Sequence, residues 1–241
     1  MQFFPATGTA GSPDVAAFHD PVTGSWQYVL ACPETRRAAI VDPVLDFDPP
    51  TGSTGTGNAE AILAHVAERG LAVDWVLDTH PHADHLSAAD FLATRLGARR
   101  GIGEKVLEIQ SIWADLYADP ALEGRPDHWD RLFADGERFG LGALEVEVML
   151  APGHTLASVA YRAGDAALVH DTLMKPASGT SRADFPGGDA GVLFDSIARL
   201  LALPADTRLF HGHDYPDEGE AAVAMATVAA HLDGNAHVGG G

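Results

Sequence analysis

Three histidines and an aspartate crowd into His80-Pro81-His82-Ala83-Asp84-His85, and His154, Asp171 and His213 each stand just after an apolar, β-favouring run. Imidazole and carboxylate are the ordinary ligands of zinc and of non-haem iron, and positions two apart on a loop can aim at one ion. Without a cation, such a cluster would be an electrostatically costly arrangement. The expected chemistry is therefore that of a bound metal. Asp84, between two of the imidazoles, either ligates or fixes the tautomer of a ligand His. An isolated His is ordinarily a hydrogen-bonded structural or surface residue, which is the reading for His19, His65, His128, His231 and His237.

Such side chains need strand ends to hold them together. Val73 to Leu77 reads as a buried strand that delivers the chain to Thr79 and His80, and Ser87 and Asp90 stand at capping-box-like spacing before Phe91, Leu92 and Leu96. Strand, polar loop and helix in succession is where α/β proteins place their chemistry. Leu144 to Leu150 alternates apolar with acidic residues and leads into Ala151-Pro152-Gly153-His154. Strands over Ser158 to Arg162 and Ala167 to His170 precede Asp171, and Arg208 to Phe210 opens into Gly212-His213-Asp214-Tyr215.

Upstream, Trp26 to Ala31 and Ala38 to Val41 read as a hairpin turning at Pro33-Glu34-Thr35-Arg36. Asp46 to Gly57 reads as loop from its Pro and Gly content, after which Asn58 caps a helix that ends at Gly70. Glu104 to Phe133 reads as an irregular helical insertion, broken at Pro120 and Pro126, that covers one side of the site. A Gly- and Pro-rich loop runs from Pro176 to Gly188; Val192, Leu193, Ile197, Leu200 and Leu201 share a helical face, and a last helix is expected over Glu218 to Leu232. Two runs of strands, each interleaved with helices, predict a sheet pair flanked by helices.

Composition limits the partners. The 241 residues carry 15 Lys and Arg against 34 Asp and Glu, a formal charge of −19, which repels phosphate backbones and anionic membrane surfaces. With 46% apolar and 20% charged residues, the chain can bury a sizeable core. A single cysteine, Cys32, excludes an intrachain disulfide and a Cys-based zinc cluster. No signal-peptide pattern opens the sequence and no run approaches the roughly 20 apolar residues of a membrane span, so a soluble cytoplasmic protein is expected.

In this order and across most of the chain, the His80 to His85 motif, His154 in Pro-Gly-His-Thr, Asp171 in Asp-Thr-Leu and His213 in Gly-His-Asp-Tyr resemble the metallo-β-lactamase superfamily. That resemblance implies an α/β fold, a four-layer αβ/βα sandwich, as one domain over residues 1–241 with metal at the sheet edges. Ser181-Arg182-Ala183-Asp184-Phe185-Pro186-Gly187-Gly188-Asp189 and Asp42-Pro-Val-Leu-Asp-Phe-Asp are similar to the bacterial β-lactamase-like hydrolases grouped with persulfide dioxygenases. The subgroup implies one Fe(II) per chain held by His80, His154 and Asp171, with positions left open for substrate and O2. His82, Asp84, His85 and His213 would then orient the ligands.

The expected function is oxidation of glutathione persulfide, or a similar low-molecular-weight persulfide, by O2 to sulfite and thiol. Lys175 and Arg182 would orient an anionic substrate, and Tyr215 would point its hydroxyl into the site. A glyoxalase II-like hydrolase of thioesters or lactones is the alternative. It would hold two zinc ions, the second on Asp84, His85 and His213 with Asp171 bridging. The short stretch after His213 has no room for the helical domain with which glyoxalase II holds glutathione, which weighs against that alternative. His170 stands where the family usually has Gly, which motivates a further alternative, a non-catalytic persulfide or metal sensor. The expected partners are small molecules, with neither nucleic acid nor membrane, and a homodimer is compatible with the sequence.

Overall fold

The computed structural model describes residues 1–239. Seven strands form the first sheet, in the spatial order Gln2–Phe4, Asp14–His19, Trp26–Ala31, Arg37–Val41, Ala72–Leu77, Arg99–Gly103 and Arg131–Phe133. Its first four strands pair antiparallel, and from Arg37–Val41 onward the pairing is parallel, with Val41 beside Leu77 and Leu77 beside Gly101. The second sheet has six strands, ordered Arg138–Leu141, Leu144–Leu150, Val159–Ala163, Ala166–His170, Arg208–His211 and Met225–Thr227. Only Ala166–His170 and Arg208–His211 run parallel there.

Alternation along the strands explains the layering. Val15, Tyr28, Leu30, Val41 and Leu77 face inward from the first sheet and meet Val146, Val148, Tyr161, Leu168 and Phe210 from the second. The intervening residues face outward. Ala16, Val29, Ile40 and Val76 are covered by Ile62 and Val66 of helix Gly57–Glu68 and by Leu92 of helix Ala89–Leu96. On the far side, Ala160, Ala167, Val169 and Leu209 are covered by Leu193, Ile197 and Leu200 of helix Ala190–Leu201 and by Val228 of helix Val228–Gly234. Helices, sheet, sheet, helices is the expected four-layer α/β sandwich. Among the described residues no helix is long and apolar enough to cross a membrane.

Three expectations change. Asp46 to Gly57 is not all loop: Val44–Asp48 and Ser53–Gly55 pair as a hairpin that Leu86–Ser87 extends into a small third sheet. Asn58 does not cap its helix. Asp46 reaches back from the hairpin and accepts the backbone N–H groups of Gly57 at 2.7 Å and Asn58 at 3.1 Å, together with the Asn58 amide at 2.8 Å. The helix predicted over Glu218 to Leu232 is confined to Val228–Gly234, because Met225–Thr227 is drawn into the second sheet beside Arg208–Phe210. The Glu104 to Phe133 insertion contains helix Val106–Tyr117, followed by short 3-10 turns at Pro120 and Pro126 and the edge strand Arg131–Phe133.

Candidate metal centre

Five strand ends converge on one edge of the sheet pair. Arg37–Val41 ends into Asp42, Ala72–Leu77 into Asp78-Thr79-His80, Leu144–Leu150 into the turn that carries His154, Ala166–His170 into Asp171, and Arg208–His211 into Gly212-His213. Two glycines make the convergence sterically feasible. A Cβ on Gly153, at φ 127°, would overlap the Leu193 backbone, and one on Gly212 would overlap Asp171 Oδ1 and fall 2.7 Å from His170 Nδ1. Neither position has room for a side chain.

Asp171 is the hub. Its Oδ2 lies 3.4 Å from His154 Nε2, 3.4 Å from His213 Nε2 and 3.7 Å from His80 Nε2. The ligand atoms of His80, His154 and Asp171, all buried, lie within 4.8 Å of one another. Equally close are the ligand atoms of buried His170, Asp171 and His213, and those of His82, Asp84 and His85, of which Asp84 is exposed.

Neighbouring groups set the tautomers. Thr79 donates its hydroxyl to Asp42 Oδ2 at 2.9 Å and so accepts from His80 Nδ1–H at 3.0 Å, leaving the lone pair on Nε2 facing Asp171. His154 Nδ1–H donates to the Arg182 carbonyl at 2.8 Å, and His85 Nδ1–H donates to the Leu86 carbonyl at 3.1 Å, with the same result. A metal-binding imidazole requires this arrangement, its far nitrogen donating to a fixed acceptor. Burial, reinforced by neighbouring imidazoles, holds His80 and His82 well below the usual histidine range and so keeps them neutral. Burial would raise Asp171, but His170 and His213 outweigh it and hold the carboxylate well below its usual range.

The donor set fits a metal ion. Asp171 Oδ1, His85 Nε2 and His82 Nδ1 are buried with no hydrogen-bond partner, and buried polar atoms are ordinarily satisfied. A cation coordinated by these lone pairs would satisfy them.

Asp42 and His170 belong to this centre although neither is in the expected ligand set. Asp42, fully buried, accepts from Thr79 N at 2.7 Å and from His82 Nε2 at 2.9 Å. Its signal in the sequence is the one the other residues gave, a polar residue directly after an apolar strand. The His170 ring lies among the imidazoles of the centre, 4.9 Å from those of His80 and His82. It sits behind Asp171, with Nδ1 3.3 Å from Asp171 Oδ1 and Nε2 3.4 Å from Asp42 Oδ2. Burial would lower its pKa, but the two carboxylates prevail and raise it to about 9. Its φ of 39° lies in the left-handed region that non-glycine residues seldom adopt, and such strain concentrates at functional sites.

The centre opens into a cleft of about 740 Å³ whose walls include Asp84, His154, Asp171, Arg182, His213 and Tyr215. Tyr215 stacks its ring on His213, and its hydroxyl lies 3.2 Å from His213 Nδ1. Arg182 is exposed, and its guanidinium pairs with Asp184. Lys175 is elsewhere than expected. It is absent from the cleft wall, and its Nζ is 2.6 Å from Asp214 Oδ1, itself almost wholly buried.

Comparison with known proteins agrees with this geometry. The profile of the metallo-beta-lactamase superfamily matches residues 20–213. The chain belongs to the metallo-beta-lactamase superfamily. This superfamily member is 52% identical over 229 residues to a beta-lactamase hydrolase-like protein of Xylella fastidiosa, covering 95% of the present chain and 53% of that protein. The chain thus spans about half the length of that curated relative. It is 43% identical to a probable metallo-hydrolase of Burkholderia pseudomallei, over 93% of this chain and 80% of that one. Among solved metallo-beta-lactamase folds, ETHE1 from Myxococcus xanthus superposes with a TM-score of 0.72 at 27% identity, covering 93% of this chain and 84% of that one.

Proposed function

We propose that this chain is a persulfide dioxygenase that converts a low-molecular-weight persulfide, O2 and water to the thiol and sulfite: RSSH + O2 + H2O → RSH + SO3²⁻ + 2H⁺. The observation that carries this reading is the meeting of His80, His154 and Asp171, from three strand ends, around one point at the head of the cleft. Two imidazoles and a carboxylate are the ligand set of non-haem Fe(II) oxygenases, and Fe(II) bound there supplies the one-electron reactivity toward O2 that side chains lack. The likeness to ETHE1, together with the Ser181 to Asp189 motif, supports the same subgroup.

The protein's own groups have separable roles. Burial works against protonation of His213, but Asp171 outweighs it and raises the imidazole above its usual range. Asp84 Oδ2 and Asp171 Oδ2 both lie 3.4 Å from His213 Nε2, while the Tyr215 hydroxyl meets Nδ1 on the far side of the ring. Asp42 and Thr79 fix the His80 ring, and the Arg182 carbonyl fixes His154. The ligand lone pairs are therefore aimed before any metal arrives, which reduces the ordering cost of binding.

Protein purified without O2 and loaded with iron is expected to hold one Fe per chain, and in an oxygen electrode to consume one O2 per persulfide with stoichiometric sulfite. Absence of both O2 uptake and sulfite rejects the proposal. The contacts joining Asp84, His213 and Asp171 favour a second reading, a dinuclear zinc hydrolase of thioesters or lactones. Two zinc ions per chain with thioester turnover under strict anaerobiosis would establish it instead.

A further inference from the structure

The charged and apolar walls of the cleft are unequal. Arg182 is the only Lys or Arg among the described residues lining it, and a carboxylate, that of Asp184, already engages its guanidinium, with Nη2 2.8 Å from Oδ2. Lys175 is held by Asp214. Asp84, Asp171 and Asp214 also line the cleft, but Lys175 and the Val223 N–H engage Asp214 and Asp171 faces the metal site, so Asp84 is the carboxylate presented to a bound tail, in a chain whose formal charge is −19. A substrate tail with two carboxylates, as in a glutathione derivative, meets no unpaired cation there. Taking such a tail out of water without a partner is unfavourable.

Another stretch of the wall is apolar. Ile109, Trp113 and Tyr117 recur every fourth residue on helix Val106–Tyr117, so they share a face, and all three line the cleft. Trp113 and Tyr117 stack at 5.3 Å with 13° between their planes. Phe185 packs edge-on against His154 at 5.1 Å and carries the Arg182 guanidinium over its ring at 4.8 Å. An apolar shelf therefore runs from the mouth of the cleft to a metal-facing imidazole. Tyr117 is 66% exposed, so the shelf is open to solvent at the mouth.

We infer that this shelf seats an uncharged aliphatic or aromatic tail, so that the preferred substrate is the persulfide of an apolar thiol rather than glutathione persulfide. This inference rests on the persulfide reading of the metal centre. Flat and aliphatic groups gain from burial against Trp113 and Phe185, whereas Asp84 acts against an anionic tail.

Two thioethers, inert because they lack the persulfide sulfur, test the seat in the metal-free protein by calorimetric titration: methyl 2-phenylethyl sulfide and S-methylglutathione. The aryl thioether is expected to bind at least tenfold more tightly. Trp113→Ala should weaken it about tenfold and leave S-methylglutathione within twofold. Asp184→Ala, which frees Arg182 at an exposed site, should tighten S-methylglutathione severalfold and leave the aryl thioether unchanged. Equal or tighter binding of S-methylglutathione by the unmodified protein, or an aryl affinity indifferent to Trp113, overturns the inference.

In the iron-loaded protein, kcat/KM for 2-phenylethyl persulfide should exceed that for glutathione persulfide at least tenfold, and the reverse order overturns the inference. If no persulfide drives O2 uptake while the thioether ranking holds, the oxygenase reading falls and the apolar seat stands.

Discussion

Asp42 shows how one buried carboxylate can govern a metal centre that it need not ligate. It orients His82 directly and His80 through Thr79, and it faces His170. Removing such an outer partner commonly costs about 10 to 100-fold in metal affinity or activity. Asp42→Ala is accordingly expected to keep the metal-facing side chains yet lose bound metal about 10 to 100-fold more readily, measured as metal retained after dialysis against graded chelator. Unchanged retention would show that His80 is positioned without Asp42. His170 is legible in the sequence only as an oddity beside Asp171. That it lies between two carboxylates is a fact of packing, because Asp42 and Asp171 come from different sheets.

Two elements depend on polar contacts that sequence spacing does not reveal. Helix Gly57–Glu68 begins without a cap from its own N-cap residue, Thr56, and relies on Asp46. Hydrogen bonds from Asn58 and Gly57 outweigh the burial of that carboxyl and lower its pKa. Loss of a helix cap costs about 1 kcal/mol, so Asp46→Ala should lower the urea midpoint by the equivalent amount with an unchanged slope.

On the outer face of the second sheet, helix Val228–Gly234 docks through His231, whose Nε2 is 3.1 Å from His211 Nε2, and Asn235 donates to the Gly179 carbonyl at 3.0 Å. Burial, reinforced by His231, pushes His211 down to about 3, and burial pushes His231 down to about 4. Both pKa values lie below the unfolded value near ~6.5, so the unfolded chain takes up protons first on acidification. Stability is thus full above pH ~6.5 and declines toward pH ~4, by at most about 1.4 kcal/mol per pH unit for each imidazole. Denaturation midpoints measured from pH 7 to 4.5 should fall, and His231→Gln should flatten the decline. His231 reads from sequence as an ordinary structural histidine, and the structure agrees, adding a partner 20 residues away that no local pattern indicates.

Across the whole molecule, the metal centre ties both sheets together at the edge where their strands end, so a bound ion should stabilise the entire fold. A ligand present at a hundredfold its Kd adds about 2.7 kcal/mol, which in a domain of this size corresponds to roughly 5–10 °C in Tm. Chelation should lower the melting temperature by that order, and re-addition of the ion should restore it. A Tm indifferent to chelator would mean that the donor set binds metal too weakly to couple to folding.

The ligand types, their strand-end placement and the layered α/β architecture were all determined by the sequence alone, because strand alternation and polar turns after apolar runs are local patterns. Only the tertiary structure decided that Lys175 is consumed by Asp214, that Asp46 caps a distant helix, and that Trp113, Tyr117 and Phe185 form one wall. The reason is physical. A salt bridge, a distant cap or a shared cavity depends on which strand ends and loops are brought together in space, and chain spacing carries no record of that.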